Sequence, residues 1–361
     1  MSFGVPVGHP GKFGTKFMRV LVTGHLGYIG TIMVPMLLDK GYDVVGLDSN
    51  LFKYCTFCDG IVDVPCIDKD IRTIEGKDLE GFDAVIHLAG LSNDPLGDFD
   101  PELTFDINYK ASVRLAQLSK EAGVLRFIFS SSCSNYGAAG QDLIDESGEL
   151  RPVTPYGESK VFVERDVSKM ADSNFSPTFL RSATVYGVSP RLRFDLVLNN
   201  LTAWAFTTGE VHLKSDGTPW RPTVHVEDVA RAFIAVLGAP VGKVHNQVFN
   251  VGITEENYRI KQLAEIVEQA VPDCKIGFAQ SAGPDKRCYR VDFSKIAKTF
   301  PEFKPQWNAR RGAEQLYQAY KKIGLVLNDF EGARYKRIAH IKSLISSGEL
   351  DSSLYWKSKN V

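Results

Sequence analysis

Long apolar runs, a charge of one sign and a cysteine framework are all missing from this chain of 361 residues. Nothing approaches the roughly 18 consecutive apolar residues that a membrane-crossing helix needs, so no membrane partner is expected. The 42 basic and 43 acidic side chains leave a net charge of −1. No global field therefore draws nucleic acid or an anionic surface, and an anionic ligand must be held by local groups. The six cysteines are scattered. Cys55 and Cys58 form a C-x-x-C, but no second pair or His cluster stands at metal-ligand spacing, so free thiols are expected and no metal. The opening MSFGVPVGHPGKFGTK has no signal-peptide apolar segment, and a cytoplasmic protein is the expectation.

The chain is long enough for a large core and for two domains. Its organising stretch is RVLVTGHLGYIG, Arg19 to Gly30. An apolar run stops at Gly24, glycines recur at Gly27 and Gly30, and YIGTIMVPMLLDKG reads as a helix that Pro35 should kink. A strand, a glycine turn and a helix suit a pyrophosphate, which glycines let the backbone approach and which the helix amino end attracts. Taken singly, three glycines in seven residues also occur in ordinary turns. DVVGLD then reads as a second strand ending on Asp48, where a carboxylate can accept both ribose hydroxyls and would repel a 2′-phosphate. That points to NAD over NADP, although a strand-end Asp also serves turns and Lys53 stands nearby.

The alternation continues through VDVPCIDKDIR, DAVIHLAG and RFIFSSS as strands, with PELTFDINYKASVRLAQLSKEAG as one long amphipathic helix. Strands alternating with helices predict a parallel sheet wound on both sides, with ligands at the carboxyl ends of the strands. After Ser130, Ser131 and Ser132 comes TPYGESK, where Thr154 suits an N-cap, Pro155 the first helical position, and Tyr156 and Lys160 one helical face. An ammonium beside a tyrosine favours the phenolate, which can take a proton from a sugar hydroxyl. Tyr317 with Lys321 and Tyr355 with Lys359 have the same spacing but follow no serine-tipped strand, and are read as surface helix pairs.

Together, TGHLGYIG, Asp48, the DIR of Asp70 to Arg72, HLAG, Asn108, SSSCSNYG and YGESK resemble the extended short-chain dehydrogenases/reductases, in the NAD-dependent sugar-nucleotide epimerase/dehydratase group. The resemblance runs from about residue 18 to about 310. It implies NAD as cofactor, a nucleotide-diphosphate sugar as substrate, and a homodimer through helices at about 102–122 and 155–172. Ser132 would be the hydroxyl partner, Tyr156 the acid/base, and Lys160 the residue that favours the phenolate and holds the nicotinamide ribose. Gly24, Gly27, Tyr28, Ile29, Gly30, Asp48, Asp70, Ile71, Leu88, Ala89, Gly90 and Asn108 would complete the cofactor site. Asn93, Arg191, Arg193, Asn199, Asn200, Arg221, Arg287 and Arg290 would face the nucleotide sugar, with Asp292 beside them; arginine forks suit a diphosphate.

The implied architecture is an α/β Rossmann doubly wound parallel sheet with a smaller discontinuous α/β substrate domain. Residues 1–16 would be a flexible lead-in, and 17–185, rejoined by about 223–251, the NAD-binding unit. Residues 186–222 and 252–330 would bind the nucleotide sugar. Residues 331–361 form a basic helix and tail, expected to pack on the body or at a subunit contact. Dehydratases of the family follow the catalytic hydroxyl with an Asp-Glu pair, but here Cys133 and Ser134 stand there. A 4-epimerase is therefore the favoured reaction. Oxidation or reduction at C4, 4,6-dehydration using another acid such as Asp94, and a non-enzymatic NAD-binding sensor are the alternatives.

Overall fold

Val20, Leu21 and Val22 are fully buried, as a strand covered on both faces requires. The computed structural model describes residues 17–357 apart from 93–99, 139, 141 and 284–286. The lead-in of residues 1–16, Asn93, Asp94 and Lys359 thus lie outside the described residues. In chain order the strands are β1 (Arg19–Thr23), β2 (Asp43–Asp48), β3 (Cys66–Asp68), β4 (Ala84–His87), β5 (Arg126–Ser132), β6 (Leu143–Ile144), β7 (Ser176–Ser182), β8 (Thr184–Tyr186), β9 (Glu210–Ser215), β10 (Trp220–His225), β11 (Gln247–Val251), β12 (Asn257–Arg259), β13 (Lys275–Gly283) and β14 (Arg290–Val291).

Seven strands form one sheet in the order β11-β7-β5-β4-β1-β2-β3, and every pairing in it is parallel. Side chains alternate between its faces. Val20 and Val22 meet Met33 and Leu37 of helix Gly30–Asp39 and Phe233 of helix Val226–Gly238. Leu21 turns the other way, toward Leu115 of helix Ala111–Glu121 and Val163 of helix Pro155–Ser168. This is the doubly wound Rossmann arrangement. A third core gathers helices Val197–Thr208, Ile260–Ala270 and Ala309–Ile323 around Val211 and Leu213 of β9. Among the described residues no helix is long and apolar enough to cross a membrane.

Helix Gly30–Asp39 includes Pro35 within one element. Two local expectations change. The long helix after β4 is interrupted: Pro101–Phe105 and Ala111–Glu121 are α-helical, but Asp106–Lys110 is a π turn. Tyr355 lies on no helix; it follows helix Arg337–Ser346 and carries the Arg72 guanidinium 3.8 Å over its ring. The tail is anchored by Ile341, Leu344, Leu350 and Leu354, which enter the core on the Leu21 face.

Candidate active site

From β1 the chain moves to β2 and β3 on one side, then returns to β4 on the other. The carboxyl ends of β1 and β4 therefore flank a switch point, where such sheets bind ligands. A cavity of about 1040 Å³ opens there. The glycine turn forms one wall: Gly24 has φ +74°, and a Cβ on it would come within 2.7 Å of the Ala89 nitrogen. A Cβ on Gly30 would lie 2.4 Å from the Gly24 carbonyl oxygen, so both positions are confined to glycine. The amino end of helix Gly30–Asp39 has no side-chain cap. Below the turn, Thr23 Oγ1 and Ser112 Oγ each lie 2.7 Å from a nitrogen of buried His87, and burial pushes that imidazole down to about 3.

Asp48 lines the cavity at the tip of β2. Its carboxylate accepts the Leu26 and Asn50 N–H groups at 3.0 and 2.7 Å, while burial raises its pKa. Asp70 and Ile71 line the same end, and Asp70 is held by Arg72 at 2.8 Å. Leu88, Ala89 and Gly90 line the cavity too, as do Gly27, Tyr28 and Ile29. Asn108 is one step behind them. Its Oδ1 accepts the Leu91 N–H at 2.7 Å and its Nδ2 donates to the Leu91 carbonyl at 2.9 Å, so it shapes the loop after β4.

Ser132, Tyr156 and Lys160 all line the cavity. Thr154 caps the helix through the Gly157 N–H at 3.2 Å, and Pro155 occupies its first position, which aims Tyr156 and Lys160 at the end of β5. Lys160 Nζ donates to the Ser130 carbonyl at 2.8 Å and sits 5.8 Å from the Tyr156 ring centre. Desolvation brings its ammonium down to about 8, with Glu164 opposing the shift. Ser132 Oγ accepts from Ser134 N–H at 3.1 Å and lies 2.9 Å from Ser134 Oγ. Behind it, Glu164 pairs with Arg181 at 2.6 Å and accepts from Asn135 at 3.1 Å, holding the turn after β5 in place.

At the other end of the cavity stand Asn200, Arg221 and Arg287. Arg221 donates to the backbone carbonyls of Trp220 and Arg287, with its guanidinium 5.6 Å from the Tyr289 ring. Arg191, Asn199 and Arg290, expected to face the nucleotide sugar, and Asp292, expected beside them, are not among the residues lining the cavity. Arg191 turns to the Phe52 carbonyl and Asn50. Asn199 is buried between the Gly187 N–H and the Arg193 carbonyl. Arg290 lies 4.7 Å over the Trp220 ring. Asp292 takes the Ser294 N–H at 2.7 Å.

Arg193 does line the cavity, paired with Asp195 at 2.6 Å and donating to Ser92 at 3.0 Å. Sequence reasoning did not single out Asp195 or Arg337 as cavity residues. Arg-x-Asp, Arg193 to Asp195, was a usable local signal for the first; Arg337 has none. Cys133 is buried, its Sγ 3.1 Å from the Arg181 carbonyl, and burial pushes the thiol far up. Cys55 and Cys58 are free thiols raised in the same way.

A family model described as the NAD dependent epimerase/dehydratase family matches residues 20–252. The chain is 31% identical over 291 residues to a UDP-glucose 4-epimerase of Lactobacillus helveticus, covering 74% of this chain and 85% of that one. Among solved structures, MoeE5 in complex with UDP-glucuronic acid and NAD shares 27% identity at a TM-score of 0.73, covering 84% of this chain and 99% of that one. A UDP-glucose 4-epimerase with UDP-glucose from Thermotoga maritima shares 25% identity at a TM-score of 0.73, covering 85% and 100%.

Proposed function

The chain belongs to the NAD dependent epimerase/dehydratase family, and from that premise we propose that it is a nucleotide-diphosphate-sugar 4-epimerase. It is an enzyme, which sets aside the non-catalytic sensor, and its cofactor is NAD. The residues present fit that group: a cradle at Gly24 and Gly30 that any Cβ would fill, and a carboxylate at Asp48 to accept ribose hydroxyls. When bound, NAD supplies a hydride acceptor and donor for the sugar carbon.

The protein's part is to move the proton. Tyr156 takes it from the C4 hydroxyl and later returns it. Lys160, oriented by the Ser130 carbonyl, supplies the positive charge that favours the phenolate. Ser132 Oγ has Ser134 N–H and Oγ as neighbours, so its own hydrogen is available to the sugar oxygen. Arg221 and Arg287 would take the diphosphate. With NAD bound, return of its hydride to the opposite face of the sugar carbon would invert C4.

The observation that supports this reading is that Ser132, Tyr156 and Lys160 line the same cavity as the glycine cradle, with Lys160 Nζ 5.8 Å from the Tyr156 ring centre. A dehydratase needs an acid to expel water, and the residue after Ser132 is a buried Cys133 bonded to a backbone carbonyl. Because relatives are named as UDP-glucose 4-epimerases, a UDP-hexose is the first substrate to try. The purified protein is incubated with UDP-glucose, UDP-galactose and their GDP, CDP and dTDP counterparts, and products are resolved by mass and chromatography. An epimerase gives a product of unchanged mass and altered retention. Loss of one water would establish dehydration instead, and loss of two hydrogens would establish net oxidation.

A further inference from the structure

The tail after residue 330 lies beyond the family model, which ends at 252, yet one of its side chains enters the cavity. Arg337, at the start of helix Arg337–Ser346, lines the cavity together with Arg193 and is only 7% exposed. Its guanidinium lies 3.9 Å over the Phe52 ring, and its Nη2 donates to the Arg191 carbonyl at 3.1 Å. Its Nε is buried with no hydrogen-bond partner.

The surrounding charge is unbalanced. Arg191, Arg193 and Arg337 face Asp195 and Asp48; Asp195 is paired with Arg193, and Asp48 is engaged by two backbone N–H groups. Cys55 also faces Arg337, but burial keeps it a neutral thiol. A buried guanidinium with an unmet donor calls for an anion.

The same segment braces the loops that frame this end of the cavity. His340 Nε2 lies 3.1 Å from the Leu51 carbonyl, and Trp356 Nε1 donates to the Ser49 carbonyl. Lys53 Nζ stacks 4.0 Å over the Trp356 ring. The Phe52 ring and the Arg191 carbonyl that hold Arg337 thus belong to the Asp48 side of the cavity, and Arg193 and Asp195 are its other charged neighbours.

We propose that the C-terminal segment is part of the cofactor site: Arg337 binds the diphosphate of the dinucleotide, and the tail holds the Ser49–Lys53 loop over it, so that NAD is retained between turnovers. The proposal rests on NAD being the cofactor. It makes the tail, which lies beyond the family model, a retaining strap, and Arg337 a cofactor-binding residue.

The test compares full-length wild type, Arg337→Gln, Arg337→Lys and Arg334→Ala, the last an exposed tail residue whose guanidinium reaches the Thr56 carbonyl and lies 5.0 Å over the Tyr335 ring. Bound dinucleotide is measured after denaturation, release is followed by chase with labelled NAD, and melting is recorded for stripped and loaded protein. Loss of a charge-assisted contact should speed release by about ten- to a hundredfold in Arg337→Gln. Arg337→Lys should fall between, Arg334→Ala should match wild type, and the stripped proteins should melt alike. Equal release from wild type and Arg337→Gln would overturn the proposal. So would a raised KM for the nucleotide sugar with NAD release unchanged, or an equal loss of melting temperature in stripped and loaded Arg337→Gln. A wild type that binds no NAD would instead overturn the cofactor assignment, which the same measurement distinguishes.

Discussion

Lys160 Nζ lies 5.8 Å from the centre of the Tyr156 ring while donating to the Ser130 carbonyl at 2.8 Å. That bond fixes where the positive charge stands, and an ammonium so placed can favour the phenolate without bonding to it.

Replacing Tyr156 with Phe removes the proton carrier but leaves the cradle and Asp48 untouched. Turnover of the nucleotide sugar should fall by about 10²- to 10⁴-fold, while NAD recovered from the denatured protein stays at the wild-type level. A Tyr156→Phe protein with wild-type turnover would remove tyrosine from the mechanism.

Lys160 also ties function to pH. Desolvation takes its ammonium from 10.5 down to about 8, so between those values the unfolded chain holds a proton that the folded chain has lost. Stability therefore rises with pH across that window, by on the order of 3 kcal/mol, while the charge beside Tyr156 disappears. The alkaline limb of the rate profile should begin near pH 8, and Lys160→Met should lose both the turnover and the stability gradient. Denaturant titrations from pH 7 to 10 check this.

His87 should make the fold acid-sensitive. Its pKa falls from 6.5 to about 3 through burial, so the unfolded chain binds a proton that the folded chain refuses within that window. Stability contributed by neutral His87 is complete above about pH 6.5 and is lost as pH falls toward about 3, at roughly 1.4 kcal/mol per unit. His87→Gln should flatten this slope in urea titrations between pH 4 and 7.

Gly24→Ala forces a side chain into a left-handed backbone, φ +74°, and against the Ala89 nitrogen at 2.7 Å. The expected result is a melting temperature lowered by strain of about 1–3 kcal/mol and a large loss of bound NAD. Undiminished NAD content would show that the loop after β4 can retreat.

A homodimer is proposed through the helices that contain Phe105, Tyr109 and Phe162. These rings cluster at 5.4 to 5.9 Å and remain partly exposed, an apolar patch suited to a second copy. Light scattering at micromolar concentration should give twice the chain mass, and Phe162→Glu should give the chain mass; a wild type of single-chain mass would exclude it.

The glycine turn, the buried strands and the cap before Tyr156 were all legible in the sequence. Each depends on local chemistry: glycine's freedom at positive φ, the alternation of side chains across a strand, and the hydrogen bond of Thr154 to a nearby N–H. The resemblance added the choice of Ser132 among the three serines and the ribose contact expected of Lys160. The tertiary structure decided which arginines face the cavity. Arg191 and Arg193 are two residues apart on one loop, yet one is committed to the Phe52 carbonyl and the other to Asp195. It also decided that the tail belongs to the cofactor end, because Trp356 meets Ser49 across 307 residues of chain. No local pattern encodes that meeting. It follows from the apolar face of the last described helix joining the core on the Leu21 face of the sheet, and Arg337 enters the cavity only once that packing is complete.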